Sequence, residues 1–195
     1  MPEQPFSPED SLALIHTMIR KTRSSLGANR FYFLFWGWVA FGALVAQFLL
    51  KVVMHYEQHY QVWWVIPPAV IVTIIYSSRN HKGGARTYIG ESMSALWMGV
   101  GISFFVLSFL IAQLPGGFLN AYPFYILFYG LGTFISGRLL RFRPLVFGGI
   151  ANWILAMACA FVPYDYQMLL AALALMMSYI IPGYLLKEKA FANAS

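Results

Sequence analysis

Apolar runs that approach or reach 20 residues recur along this chain, and nothing else about it limits the fold as tightly. An α-helix rises about 1.5 Å per residue, so roughly 20 apolar residues cross the hydrocarbon core of a bilayer. Six such spans are predicted, at about 31–53, 62–78, 92–113, 119–137, 144–162 and 166–186. Of the 195 residues, 59% are hydrophobic and only 10% charged, where a soluble domain carries roughly a quarter charged. Most of the chain therefore cannot face water. The expected fold is all-α: an integral membrane bundle of six transmembrane helices in three hairpins. A segment 1–30 precedes the bundle at 31–186, and a short tail 187–195 follows it.

Basic residues test this count independently. Of the thirteen Lys and Arg, four precede the first span (Arg20, Lys21, Arg23, Arg30) and Lys51 alone follows it. Arg79, Lys82 and Arg86 follow the second span, Arg138, Arg141 and Arg143 the fourth, and Lys187 and Lys189 the sixth. Six spans put all but Lys51 on one side, which the positive-inside rule makes cytoplasmic; an odd number would scramble the separation. Both termini are then expected inside. The net charge of +6 reports topology rather than a nucleic-acid partner. The first apolar run begins only at Phe31 with no small-residue cleavage signal before it, so the N-terminus is expected to be kept. Trp63, Trp64, Tyr122, Tyr125, Tyr164 and Tyr166 are expected at the outer interface, and Trp36, Trp38, Trp97 and Phe142 towards the inner one.

Ahead of the first span, Ser7, Pro8, Glu9 and Asp10 form a helix start. Leu12, Ile15, Met18, Ile19 and Leu26 follow at helical spacing, with Arg20, Lys21 and Arg23 on the polar side. This predicts an amphipathic helix on the cytoplasmic membrane surface; a helix packed on its own loops or on a soluble partner suits the pattern equally. Faint repetition also runs through the chain. "ISGRLLRFR" (135–143) and "IPGYLLKEK" (181–189) share Ile, Gly, Leu and Leu in register, as copied hairpins would.

Chemistry-bearing residues are sparse. His55 and His59 stand four apart with Glu57 between them, in a short loop on the non-cytoplasmic side. In H-E-x-x-H motifs the acid follows the first His directly, whereas Glu57 would point about 200° away from His55 on a helix. Without further ligands the pair are weak metal candidates, and no metal or other cofactor is expected. Glu91 and Asp165 fall at helix starts and are expected to favour the dipole there. At membrane depth the polar residues are Gln47, Asn152 and scattered Ser and Thr. Asn152 shares a face with Gly148, Ala156 and Cys159, while Gly130, Thr133 and Gly137 line the fourth span. Small-residue strips of this kind let a neighbouring helix approach and take up an amide. Arg138, Arg141 and Arg143 form a compact cluster that a lipid phosphate could bridge; snorkelling topology determinants would look the same. No hydrolase triad, paired intramembrane carboxylates or nucleotide fingerprint is present, so an enzyme is not expected.

"FYFLFWGW" in the first span and "GLGTFISGRLLRFRPLVFGGI" across the fourth and fifth resemble an uncharacterised family of small bacterial polytopic membrane proteins with a basic amphipathic segment before the first span. That resemblance implies a bacterial inner-membrane location and no chemistry. The three-hairpin plan is also similar in architecture to six-span acid-resistance membrane proteins, and architecture alone carries no function. Two functions are expected to compete. One is a non-enzymatic scaffold or regulator that binds membrane lipid, a protein partner or a second copy of itself through its cytoplasmic face. The other is a permease or channel for a neutral or weakly polar solute, lined by Gln47, Ser103, Thr133 and Asn152.

Overall fold

The structure is a computed structural model, which describes residues 30–80 and 88–192. The amphipathic segment proposed for residues 7–27 lies outside the described residues. All regular structure among the described residues is helical. Helix α1 spans Arg30–Val53, ending in a π-helical stretch Leu49–Val53. A 3-10 turn, His59–Val65, leads into α2, Ile66–Asn80. Then come α3, Tyr88–Gln113, α4, Tyr122–Leu139, and α5, Arg143–Cys159. Helix α6 is continuous over Tyr164–Leu186 and runs on to Ala192, past the expected end of the last span. Its π-helical turn, Met176–Ile180, lies just ahead of Pro182. A π-turn absorbs the backbone donor that an interior proline cannot supply.

Among the described residues four stretches are long and apolar enough to cross a membrane: Arg30–Val53, His59–Arg79, Tyr88–Gln113 and Tyr164–Leu186. In the second, the polar first turn His59–Gln61 precedes the apolar run. Helix α5 is apolar but has 17 residues, about 26 Å. Helix α4 has 18, diluted by tyrosines and glycines.

The helices alternate in direction. Phe31 stacks on Tyr76 at 3.7 Å between ring centroids, joining the start of α1 to the end of α2. Phe104 packs against Tyr125, Phe128 and Tyr129, joining α3 to α4. The α4–α5 seam is the tightest. A Cβ added at Gly137 would lie 2.6 Å from the Val146 backbone nitrogen, and one at Gly149 2.7 Å from that of Phe134. Gly148 meets α6 at Ser178 in the same manner, and Gly183 of α6 receives Leu34 of α1. Without side chains at these positions the backbones come close enough for dispersion to hold them, the means of association available where lipid replaces water. The expected groove of Gly130, Thr133 and Gly137 is thus filled by α5.

The core is built from α1, α4, α5 and α6. Over half of the apolar window of α6 is buried inside the bundle, against 6% for the stretch ending in α2 and 11% for α3. Those two helices present Ile71, Ile74, Phe105 and Phe109 outwards. An apolar exterior on this scale suits lipid rather than water. Trp97, expected at the inner interface, instead packs inwards against Phe33, Tyr179 and Gly132, because Gly132 leaves a gap that only a large ring fills. Tyr122, expected in the outer belt, is buried at 6% exposure.

Candidate functional site

At the end of the bundle where α1 finishes and α4 and α6 begin, Gln47 gathers four side chains. Its Oε1 accepts hydrogen bonds from the Trp63 indole N–H and from the Tyr122 hydroxyl, both at 2.7 Å. An indole nitrogen only donates, so this fixes which end of the amide is oxygen. The Nε2 group therefore donates, to His59 Nδ1 at 3.2 Å and more weakly to the Tyr164 hydroxyl at 3.5 Å. His59 must accept through Nδ1 and carry its proton on Nε2: it is the neutral ring. Burial, and then the charge of Lys51, hold its pKa below the usual 6.5, with Asp165 pulling the other way.

Beside this cluster Lys51 pairs with Asp165 and lies 4.1 Å above the Tyr164 ring. One polar assembly thus ties α1, the connection to α2, α4 and α6 together. Every donor and acceptor of the buried Gln47 amide is spent within it. His55 stands apart, solvent-exposed at positive φ of 51°. Among the described residues no three His, Cys, Asp or Glu side chains converge. The helical spacing that would have placed His55 above His59 does not apply, since His55 precedes the 3-10 turn.

The opposite end carries the arginines. Helix α4 closes in a Schellman motif: the Phe142 N–H bonds to the Gly137 carbonyl and the Arg141 N–H to the Arg138 carbonyl. Such a closure needs a residue in the left-handed region, and glycine usually supplies it. Here Arg141 does, at φ 49°. Phe142 then extends and is buried, and α5 starts with Pro144 in its first turn. The corner brings Arg138, Arg141 and Arg143 to the rim of one cavity of about 320 Å³, shared with Gly137, Phe142 and Val146. All three arginines are exposed. Arg138 and Arg143 make no ion pair among the described residues.

The remaining polar positions are dispersed. Thr133 and Asn152 have no exposed surface; among the described residues both ends of the Asn152 amide make no hydrogen bond, and the Thr133 hydroxyl, beside that of Tyr179, makes none of standard geometry. The expected close approach around Asn152 is present, with its Cβ 3.0 Å from where a Gly130 Cβ would lie. The expected bond to its amide is not, because the backbones meeting there have their own polar groups paired within helices. Ser103 spends its hydroxyl on the Gly99 carbonyl. Gln167 of α6 caps the end of α5 by donating to the Cys159 and Val162 carbonyls.

Sequence patterns missed the partners of Gln47 and the pairing of Lys51 with Asp165. One signal was present: Lys51 is the lone basic residue off the basic side, and Asp165 an acid at the start of the sixth span, both at one depth. No protein family matches this chain, and neither do any curated protein sequences or solved structures.

Proposed function

We propose that the chain is a non-enzymatic membrane scaffold or regulator of a bacterial inner membrane, which binds anionic lipid at the α4–α5 corner and a protein partner on the same face. On this reading α1 to α6 all span, both termini are cytoplasmic and the arginine corner sits at the cytoplasmic headgroups. The observation that carries it is the convergence of Arg138, Arg141 and Arg143 on one cavity, with Arg141 in a conformation that disfavours a side chain. A left-handed non-glycine residue costs about 1 kcal/mol. Guanidinium groups suit phosphate because their forked donors can bind two oxygens at once.

The test is phosphatidylglycerol binding to the full chain in nanodiscs. Arg141→Gly relieves the backbone and removes the donor, so it raises thermal stability while weakening binding. Unchanged affinity in Arg141→Gly, Arg138→Gln and Arg143→Gln would sink the proposal. Orientation is checked separately with single introduced cysteines, since the native Cys159 is buried. An impermeant label that reaches positions 79–91 or 138–143 from outside overturns the topology.

A solute permease is the second reading, favoured by the buried Asn152 amide, which makes no hydrogen bond among the described residues. Flux in proteoliposomes that is lost in Asn152→Leu would support it. Gln47 fits that role poorly because its amide is fully engaged.

A further inference from the structure

A second concavity lies on the other flank of the bundle, between the first turns of α1 and the end of α2, with a volume of about 540 Å³. Two adjacent rows of α1 form its floor, Arg30–Leu34–Trp38 and Phe31–Phe35–Val39. Each row advances by four residues, so together they make a stripe about 12 Å long, basic at its start and apolar from there on. Tyr76 of α2, stacked on Phe31, closes one side. The Arg30 side chain is half-buried at the head of this groove, and its Nε is covered and makes no hydrogen bond among the described residues. A partly desolvated cation beside an apolar stripe suits an anionic headgroup at the rest of its guanidinium.

We propose that this groove is a binding site for one anionic glycerophospholipid, its phosphate against Arg30 and one acyl chain along the stripe. Helix α2, which supplies Tyr76 to the groove, presents Ile71, Ile74 and Ile75 outwards, and apolar surface of this kind beside an apolar groove suits an occupant from the bilayer rather than from solution. The cations of the chain's own N-terminal segment nearest in sequence, Arg20, Lys21 and Arg23, repel Arg30, while its carboxylates Glu3, Glu9 and Asp10 lie about 20 residues or more before it, and removal of the segment decides between the two occupants. The inference rests on the membrane-spanning reading above but not on the arginine corner.

The experiment uses the full chain with Arg138, Arg141 and Arg143 all changed to Gln, titrated with phosphatidylglycerol or phosphatidylcholine and read by native mass spectrometry. One phosphatidylglycerol is retained, with a preference over phosphatidylcholine of roughly tenfold, because the two share the phosphate but only choline brings a cation beside Arg30. Arg30→Gln abolishes that preference. Val39→Trp fills the groove and abolishes retention of both lipids; Trp38→Ala, which removes a half-exposed part of the floor and adds no bulk, lowers retention and serves as the test should Val39→Trp fail to fold. Glycerol phosphate, which lacks the acyl chains, does not compete. If the triple variant retains no lipid, or Arg30→Gln changes nothing, the groove is not this site, while the corner can still stand. If removal of residues 1–27 raises retention, the groove belongs to that segment and the proposal falls.

Discussion

Replacing Gly137 or Gly149 by Ala tests the α4–α5 seam most directly. A methyl at Gly137 would meet the Val146 nitrogen at 2.6 Å and Leu145 Cβ at 2.9 Å; at Gly149 it would meet the Phe134 nitrogen at 2.7 Å and the Gly130 carbonyl oxygen at 2.8 Å. Ordinary contact begins near 3.4 Å. The obstacles are backbone atoms, so no rotamer change relieves the clash and the helices must part by roughly 0.7 Å. Overpacking of this kind costs about 1–3 kcal/mol. Alanine returns up to about 1 kcal/mol of helix propensity, which leaves a net loss of up to about 2 kcal/mol. Gly42 supplies the control, since it is exposed in α1 with nothing within 4 Å of an added Cβ, and only the propensity gain remains. Gly132 is intermediate, because its obstacle is the far edge of the Trp97 ring at 2.9 Å, which can swing. The assay is thermal unfolding of the detergent-solubilised chain followed by loss of its monodisperse chromatographic peak. At about 2–4 °C per kcal/mol for a chain of this length, Gly137→Ala and Gly149→Ala lower Tm by several degrees, Gly132→Ala by less, and Gly42→Ala leaves it level or higher. If Gly137→Ala proved as stable as Gly42→Ala, the seam would not be in backbone contact.

Other perturbations probe the polar positions. Gln47→Leu strands the Trp63 N–H and the Tyr122 hydroxyl without an acceptor, and is expected to cost about 2–4 kcal/mol, more than its loss of packing alone, by the same thermal assay. His59 has its pKa depressed in the fold, so the unfolded chain binds the proton more readily. Its contribution is intact above about pH 6.5 and is lost as pH falls below that value. Tm recorded from pH 8 to pH 5 should drop less in His59→Gln than in the parent; parallel curves would refute the assignment. Asn152→Leu removes a buried amide that has no partner among the described residues and should raise stability by about 1–3 kcal/mol. A lower Tm would mean that the amide is satisfied by something bound.

Helix positions were legible because apolar run length is a local property, and each described helix falls on an expected run. The small-residue face of Gly130, Thr133 and Gly137 was legible for the same reason: three positions on one helix face predict close approach whatever the partner. The Gln47 assembly was not. Tyr122 lies 75 residues and Tyr164 117 residues along the chain from Gln47, and no periodicity links them until the helices are packed. His55 and His59 misled for a different reason. Four-residue spacing carries meaning only on a helix, and here the chain turns through a left-handed residue between the end of α1 and the 3-10 turn. Trp97 shows the limit of composition rules, since a tryptophan near a predicted boundary was drawn inwards by a glycine on another helix.

On the six-span reading, the tight α4–α5 seam bears on how the protein enters its membrane. These two helices are the ones that length or composition keeps from qualifying alone, yet their surfaces fit one another most closely. Neither would partition stably into lipid by itself during synthesis. They have to be accepted as a hairpin, with the arginine corner held back at the surface and α5 shielded from lipid by α4 until α6 arrives to cover Gly148. Close packing in the finished bundle then doubles as a condition for assembling it.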